Sequence, residues 1–439
     1  MALPGSTTAV SNSSQPRLPS SRSTQTRPPG STGNAGSWLP SIGYGHYVYD
    51  SPQASSKIAA FDLDGTIVRP KQGRKFPINE RDWEFLDHEI IPKLREAHLA
   101  GYAIVLISNQ AGGAKLAEDF VNKLPSICRG IDVPLRAFAA LDFNEYRKGS
   151  PGIWEKFIRD FNGSIEIDYV ASFYVGDAAG RPGDHNDTDR KFAHNCGLPF
   201  FTPEEYFFNQ PQNSNWRFYG FDPRSYSATL SLEAVVESPK LATTECSLNQ
   251  IGKPLEIVVL VGSPASGKSF YYEKHLRPQG YVSVDPSLFT SPASAHQALM
   301  THLTNGRSVV VDDVHATILL RRVYREVILQ FSQTNGIKPL LKCVYFECDL
   351  ELVKHNSVYR ALYGTGAERK DVVDLTILKD FEKRFQPPSF REGFDLIVTR
   401  QFAFEGSEVE RKNWEKWLGD VYPGKAMKHA LKAARGGKR

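Results

Sequence analysis

The chain has 439 residues, of which 41% are hydrophobic and 23% charged, and its formal net charge is +4. This composition is typical of a globular protein with two to three domains, and no stretch approaches the ~18 consecutive apolar residues of a membrane span, which excludes an integral membrane protein. The five cysteines are odd in number and scattered, which predicts a reducing compartment and no disulfide scaffold.

The N-terminal segment has the composition of a disordered tail. It is rich in Ser, Thr, Pro and Gly, and no acidic residue occurs before Asp50. Such a segment buries too little apolar surface to offset the entropy that is lost when the chain becomes ordered. We therefore predict a disordered tail over residues 1–45.

Beyond the tail, short apolar runs alternate with amphipathic segments in two successive regions. In the first region, three such runs end in polar loops, at Ile58–Phe61, 103–107 and Phe173–Val175. This alternation is typical of parallel strands crossed by helices. We predict an α/β protein with two doubly wound domains and a basic tail, over residues 46–235, 236–423 and 424–439.

The first region carries two carboxylates directly after a buried strand. Asp62 and Asp64 follow the first apolar run, and Gly65 lets the chain turn away sharply. Residues two apart on an extended segment point the same way, and α/β ligand sites form at the carboxyl ends of parallel strands. One carboxylate can attack phosphorus, the other can protonate the leaving oxygen, and together they can hold Mg²⁺. The alternative interpretation is an Asp-rich turn after a strand.

Three further strand or loop ends in the same region carry matching residue types. Ser108, with the amides of Asn109 and Gln110, ends the second strand and can bind phosphate oxygens. Lys148 precedes a helix-like segment and can balance charge on a transferring phosphoryl group. Asp177 ends the third strand as a natural metal ligand. Each alone would indicate a capped strand end, but four in this order are far more specific.

Together these segments resemble the haloacid dehalogenase superfamily of phosphatases. The resemblance implies Asp62 as the nucleophile and Asp64 as the general acid and base. It implies Ser108 and Lys148 as phosphate ligands. It also implies that Mg²⁺ is bound by Asp62, Asp177 and the backbone carbonyl of Asp64. Three aspartates that follow the Asp177 loop are open to two interpretations, a solvated loop or support of the metal: Asp184, Asp187 and Asp189.

The second region opens with a glycine-rich loop between a strand and a helix. Residues 262–269 read GSPASGKS, with Gly262 followed after four residues by Gly267, Lys268 and Ser269. In a P-loop of this form, backbone amides cradle nucleotide phosphates, the lysine reaches the β and γ oxygens, and the hydroxyl ligates Mg²⁺. We therefore predict that this domain binds ATP.

A phosphatase of this kind followed by a P-loop domain resembles the polynucleotide kinase 3′-phosphatase family of DNA end-healing enzymes. The likeness covers most of residues 57–422, including the run VGDAAGRP at 175–182. It implies removal of 3′-phosphates and phosphorylation of 5′-hydroxyls at DNA ends, a role in strand-break repair, a nuclear location and a monomeric enzyme. We expect no forkhead-associated domain, because the segment before the first domain is short and polar.

The kinase half departs from the family pattern at three places. Ser287 stands at the position of the family's base aspartate, and Asp285 lies two residues earlier. A second motif keeps Asp312 but loses both of its amides, and a third keeps Arg360 but loses an inner arginine. A neutral serine cannot act as a base at pH 7. Asp285 and Asp312 are therefore the two acidic candidates.

Three functional hypotheses follow. The leading one is a DNA-end enzyme that combines a 3′-phosphatase with a weak 5′-kinase. In the second, the P-loop domain binds nucleotide or DNA without transferring phosphate. In the third, the protein is a small-molecule phosphatase, although the fused P-loop domain argues against this. The cations suggested for DNA contact are Arg69, Lys71, Arg74, Lys75, Arg181 and Arg190. The basic tail is open to interpretation as a localisation signal, a DNA contact or a solvated end.

Overall fold

The computed structural model describes residues 36–39, 41, 43–74, 77–111, 113–142, 144–227, 233–237, 252–365 and 370–418. Within these ranges no helix has the length and apolar character that crossing a bilayer requires. The predictions for residues 1–35, for the basic tail at 424–439 and for Lys75 lie outside the described residues.

The first half of the described chain is built on one large sheet. Its strands are β1 (Gly36–Leu39), β2 (Tyr44–Tyr49), β3 (Ile58–Phe61), β4 (Val68–Arg69), β5 (Glu84–Phe85), β6 (Ala103–Asn109), β7 (Leu135–Ala140), β8 (Phe173–Val175) and β9 (Phe200–Phe201). β4 and β5 form a separate ribbon, and the other seven strands form a sheet in the order β1-β2-β7-β6-β3-β8-β9. β3 is parallel to both β6 and β8, so the carboxyl ends of these three strands meet at one edge.

Helices cover both faces of this sheet. They are α1 (Ile90–Leu99), α2 (Ala114–Ile131), α3 (Gly152–Phe161), α4 (Thr188–Cys196), α5 (Pro203–Phe207) and α6 (Arg224–Ser227). Ala59 and Phe61 of β3 belong to the apolar core on one face, and Ile58 and Ala60 to the core on the other. A strand buried on both sides reads as a continuous apolar run, which is why β3 was identifiable from sequence.

The second half repeats this construction with a different strand order. Its strands are β10 (Glu233–Glu237), β11 (Glu256–Val261), β12 (Val282–Val284), β13 (Val309–Asp312), β14 (Leu340–Glu347) and β15 (Leu396–Gln401). They form one sheet in the order β10-β15-β14-β11-β13-β12. Its helices are α7 (Lys268–Tyr271), α8 (Pro292–Thr304), α9 (Ile318–Asn335), α10 (Leu350–Tyr363), α11 (Leu375–Arg384) and α12 (Glu408–Trp414). Val259 and Val258 of β11 again lie in cores on opposite faces, which confirms the prediction of two doubly wound α/β domains.

Two boundaries differ from the sequence prediction. β1 lies inside the segment expected to be a disordered tail, and β2 begins at Tyr44 and pairs antiparallel with β7. Polar residues dominate the composition of the segment, so its overall composition does not indicate the short strands GSWL and YGHYVY. β10 pairs antiparallel with β15, so the second sheet takes its first strand from Glu233 onward and the expected boundary between residues 235 and 236 falls inside that strand.

The residues that follow α12 return to the first domain. The side chain of Asn195 donates to the Trp417 carbonyl at 2.8 Å and accepts from the Trp417 N–H at 3.0 Å. The Trp417 ring packs on Phe218 with 4.8 Å between centroids. Lys416 pairs with Glu155 at 3.1 Å. The second domain is therefore attached to the first at its C-terminal end as well as through β10.

Candidate active site

A cluster of three carboxylates lies at the carboxyl ends of β3 and β8. Asp62 directly follows β3, and Asp177 follows β8 after one glycine. Asp189, in the first turn of α4, completes the cluster, and oxygens of the three carboxylates lie within 4.8 Å of one another. Asp62 and Asp189 are buried. Such a group of carboxylate oxygens is a donor set for a hard divalent cation.

Two glycines make room for this cluster. A Cβ on Gly65 would overlap the carboxylate of Asp177, and the φ of Gly65 is +91°. A Cβ on Gly176 would lie 2.5 Å from the carboxylate of Asp189. Because the backbone is pressed this closely against the carboxylates, the space among them suits a compact cation.

Lys148 is the buried cation of the site. Its ammonium contacts Asp62, lies 2.8 Å from Asp189 Oδ1 and donates to the Tyr174 hydroxyl at 3.1 Å. Its backbone N–H donates to Asn109 Oδ1 at 2.8 Å, which fixes the loop before α3 to the end of β6. Burial lowers the pKa of Lys148, but the carboxylates of Asp189 and Asp62 outweigh burial and raise the pKa above its ordinary value. Lys148 is therefore charged at neutral pH.

Burial and like charge raise the pKa values of two cluster members. Burial raises the pKa of Asp62 to about 7, with Lys148 opposing and Asp189 adding to the effect. Burial, followed by the charges of Asp62 and Asp189, raises the pKa of Asp177 to about 8. Carboxylates crowded in a dry site resist ionising together. A divalent cation among them would favour their charged forms, which is a second sign that the site fits a metal.

Asp64, two residues after Asp62, has a carboxylate that contacts two donors. Lys123 Nζ lies 2.6 Å from Asp64 Oδ1, and Gln110 Nε2 lies 2.6 Å from Asp64 Oδ2. Gln110 also donates to Ser108 Oγ at 2.8 Å. The Asp64 side chain is 46% exposed, whereas Lys123, Gln110 and Ser108 are buried. The predicted acid–base group is therefore linked through Gln110 to a predicted phosphate ligand.

The structure brings together the five residues that the sequence singled out, and their chemical roles stay predictions. They are Asp62, Asp64, Ser108, Lys148 and Asp177.

Of the three later aspartates, the interpretation of a solvated loop is wrong for two. Asp187 and Asp189 are both buried, and Asp187 pairs with Lys191 at 2.9 Å. Asp184 pairs with Arg181 at 3.0 Å. Sequence reasoning thus left Asp189 undecided, and it missed Lys123 altogether.

The glycine-rich loop of the second domain joins β11 to α7. Lys268 is buried and donates to the carbonyls of Gly262 at 2.8 Å and Ser263 at 2.7 Å. The hydroxyls of Ser263 and Ser266 are buried and have no hydrogen-bond partner among the described residues. Burial lowers the pKa of Lys268 to about 8, and the charges of nearby acids oppose this. Unpartnered hydroxyls and an inward-turned lysine fit the oxygens of a phosphate chain. The last loop residue, Ser269, lies in the first turn of α7.

The two candidate bases of the kinase-like domain are placed differently. Asp312 ends β13 beside Leu260 of β11. Its charge partly opposes the lowering of the Lys268 pKa by burial. Asp285 follows β12, on the far side of β13, and its Oδ1 accepts from the N–H of Ser287 at 2.9 Å and from its hydroxyl at 2.6 Å. The structure therefore places Asp312 next to the loop and engages Asp285 in its own turn.

Most of the cations suggested for DNA contact are already paired. Arg69, Arg74 and Arg181 form ion pairs with Glu84, Asp82 and Asp184. Arg190 is buried, with its guanidinium over the Phe200 ring at 4.4 Å and the Trp216 ring at 4.1 Å. The suggestion that Arg190 contacts DNA is therefore wrong. Lys71 is exposed.

Known proteins with similar sequences match either most of this chain or only a part of it. A family model described as polynucleotide kinase 3 phosphatase matches residues 57–207. The chain is 32% identical over 375 residues to the bifunctional polynucleotide phosphatase/kinase of Schizosaccharomyces pombe. The matched region covers 84% of this chain and 85% of that protein. It is 29% identical over 397 residues to a putative bifunctional polynucleotide phosphatase/kinase of Acanthamoeba polyphaga mimivirus, covering 82% of this chain and 88% of the viral one. It is 37% identical over 175 residues to the polynucleotide 3′-phosphatase of Arabidopsis thaliana, covering 36% of this chain and 25% of the plant protein.

Proposed function

Because this chain belongs to the bifunctional polynucleotide phosphatase/kinase family, we propose that its first domain removes 3′-phosphates from DNA ends. The observation that carries the proposal is the buried contact of Asp62 with Lys148 beside two further carboxylates, with Asp64 at the rim of the site. This arrangement supports the proposal that Asp62 is the nucleophile, Lys148 the cation for the phosphoryl oxygens and Asp64 the acid–base group.

The reaction proceeds in two displacements at phosphorus. An oxygen of Asp62 forms a bond to phosphorus while the bond to the 3′-oxygen breaks, and the leaving oxygen takes a proton from Asp64. Water then attacks the phosphorus of the aspartyl-phosphate and gives a proton to Asp64. The bond between phosphorus and Asp62 breaks, and its electron pair returns to Asp62. Lys148 and Ser108 hold the phosphoryl oxygens. Asp62, Asp177, Asp189 and the backbone carbonyl of Asp64 would hold Mg²⁺, and a cation there would supply charge neutralisation between nucleophile and phosphate.

The test is phosphate release from a 3′-phosphorylated oligonucleotide, compared with a sugar phosphate under the same conditions. We expect a higher kcat/KM for the oligonucleotide, a requirement for Mg²⁺, and a steep loss of oligonucleotide turnover with added salt, because phosphate contacts release counterions on binding. A preference for the sugar phosphate that is insensitive to salt would contradict the proposal and favour a small-molecule phosphatase.

For the second domain we propose ATP–Mg²⁺ binding with weak phosphorylation of 5′-hydroxyl ends. The loop around Lys268 supports the binding. Two observations favour the alternative of a binding module without transfer: Ser287 at the base position and the engagement of Asp285 by Ser287. Calorimetry with ATP and a transfer assay with a 5′-hydroxyl oligonucleotide separate the two. Tight binding with no detectable transfer would leave the protein a phosphatase alone.

We further propose that the enzyme acts as a monomer in the nucleus, in DNA strand-break repair. The family supports the repair role, and the stretch 425–439, with six Lys or Arg residues and no acid, supports nuclear targeting. Light scattering of the purified protein checks the first point. For the second, a fluorescent fusion that lacks residues 425–439 is expected to lose its nuclear enrichment, and unchanged enrichment would remove that stretch as the signal.

A further inference from the structure

Helix α2 carries a lysine within the stripe that it packs against the sheet. Its buried apolar residues, Phe120, Leu124, Ile127 and Ile131, follow the three-and-four spacing of a helix face, and Lys123 is buried among them. Burying an ammonium is unfavourable unless a counter-charge compensates it. Within the described part of the chain, the carboxylate that the Lys123 ammonium contacts is that of Asp64, at 2.6 Å.

Lys123 fixes the Oδ1 atom of the Asp64 carboxylate, and Gln110 fixes the Oδ2 atom. Gln110 is itself held by Ser108, so both Asp64 oxygens accept hydrogen bonds from buried donors whose own positions are set by packing. An aspartate that is nearly half exposed would otherwise sample several rotamers.

We propose that Lys123 is a positioning residue that orients the Asp64 carboxylate for hydrolysis of the aspartyl-phosphate. This rests on the proposed phosphatase function of the same site. In that step the water oxygen forms a bond to phosphorus, the bond between phosphorus and Asp62 breaks with its electron pair returning to Asp62, and the water proton goes to Asp64. The Asp64 carboxylate must then be aimed at the water, and the Lys123 ammonium, 2.6 Å from Asp64 Oδ1, holds that carboxylate in one orientation.

Lys123→Met tests the proposal, because methionine keeps the apolar stem and removes the charge. The substrates are the 3′-phosphorylated oligonucleotide and an aryl phosphate, whose phenolate leaves without being protonated. For the aryl phosphate kcat/KM reports formation of the aspartyl-phosphate, whereas kcat includes its hydrolysis. We expect kcat to fall about tenfold to a hundredfold, within the usual contribution of a general base, and KM to fall with it, so that kcat/KM for the aryl phosphate changes little.

A second readout is the covalent intermediate. Acid quenching during turnover of a ³²P-labelled oligonucleotide is expected to trap more phosphorylated protein in Lys123→Met than in the wild type. Lys123→Arg is expected to restore most of kcat, because it returns a cation to the same stem. Arg129→Met, which removes a cation from the exposed face of α2, is the matched control and is expected to behave like the wild type.

An equal fall of kcat and kcat/KM for the aryl phosphate, without trapped intermediate, would mean that Lys123 only maintains the structure and would overturn the proposal. Wild-type kinetics in Lys123→Met would overturn it too. If Lys123→Met does not fold, Lys123→Gln carries the same test. A wild-type protein that ignores the oligonucleotide but hydrolyses the aryl phosphate would refute the DNA-end function, while the aryl phosphate alone would still decide the role of Lys123.

Discussion

Asp62 and Lys148 form the buried charge pair around which the phosphatase site is built. Asp62→Asn replaces the carboxylate of the proposed nucleophile with an amide that cannot form an aspartyl-phosphate. We expect release of 3′-phosphate to fall at least about 10³-fold, as for other covalent nucleophiles. The fold is expected to survive, because Asp189 still lies 2.8 Å from the Lys148 ammonium. Phosphate release and the thermal midpoint of unfolding are the two measurements.

The control for this variant is Glu118→Gln, which also replaces a carboxylate with an amide but lies on the exposed surface of α2. It is expected to match the wild type in both measurements. Residual turnover by Asp62→Asn above a tenth of the wild-type rate would place the nucleophile elsewhere.

Asp189 is the cluster member whose role the sequence left open. Its removal is expected to weaken metal binding and leave the nucleophile in place. For Asp189→Asn we expect the Mg²⁺ concentration that gives half-maximal phosphatase activity to rise about tenfold to a hundredfold, the usual effect of losing a group that supports a metal. Asp184→Asn, which lies in the loop before α4 and is paired with Arg181, is the control. An unchanged Mg²⁺ requirement in Asp189→Asn would limit the residue to holding Lys148.

At the scale of the elements, β2 contributes a buried histidine with an unusual environment. The ring of His46 stacks on Phe138 at 4.3 Å, and neither of its nitrogens has a hydrogen-bond partner among the described residues. Burial, helped by the charge of Arg136, lowers the pKa of His46 to about 3. In the unfolded chain a histidine titrates near its ordinary value of about 6.5.

The sign of the resulting pH dependence follows from proton uptake. As pH falls from about 6.5 toward 3, the unfolded chain binds a proton at this position that the folded protein does not, so the free energy of unfolding decreases. We expect His46→Phe to reduce the drop in thermal midpoint between pH 7 and pH 5. His88→Phe, at an exposed position, is the control. An identical drop in His46→Phe and wild type would show that His46 is protonated in the folded state.

The turn after β12 holds Asp285, one of the two candidate bases for the proposed kinase activity of the second domain. Asp285 lies in that turn with its carboxylate bound to Ser287, so we expect 5′-phosphoryl transfer about 10²-fold or more below that of a site with an intact base. Asp285→Ala is expected to reduce transfer further if Asp285 serves as the base, and Ser287→Asp is expected to raise it. Lys268→Ala is expected to abolish ATP binding by calorimetry. Robust transfer that survives Asp285→Ala would move the base to another residue, with Asp312 the nearest candidate.

The elements also show why sequence reasoning succeeded for some parts of the molecule and not for others. The strands β3 and β11 are buried on both faces and therefore read as continuous apolar runs, and their polar ends marked Asp62 and Lys268. β1 and β10 are short edge strands, and neither carries a long apolar run: β1 pairs with the neighbouring β2 inside a segment dominated by polar residues, and the partner of β10, β15, is distant in sequence. Lys123 sits in an apolar stripe where a charge is anomalous, a usable signal, but its partner Asp64 is fixed only by the packing of α2.

At the scale of the whole molecule, the Trp417 side chain packs against Phe218 and Lys191 of the first domain. Trp417→Ala removes the ring that packs on Phe218 and the cation contact with Lys191. We expect the wild type to unfold in one calorimetric transition and Trp417→Ala to unfold in two, because two domains joined by a weakened interface melt separately. Lys412→Ala, exposed on α12, is the control. A single transition in Trp417→Ala would show that other contacts carry the coupling.

The chain crosses between the domains at two places, β10 and Trp417. The polypeptide up to Glu237 supplies a strand to the second sheet, and the polypeptide after α12 supplies an aromatic anchor to the first domain. The protein is therefore suited to fragment complementation. When residues 1–244 and 245–439 are coexpressed as separate fragments, β10 of the first fragment can pair with β15 of the second, and Trp417 of the second can bind the first. We expect the two fragments to co-purify as one active complex, although no covalent bond joins them.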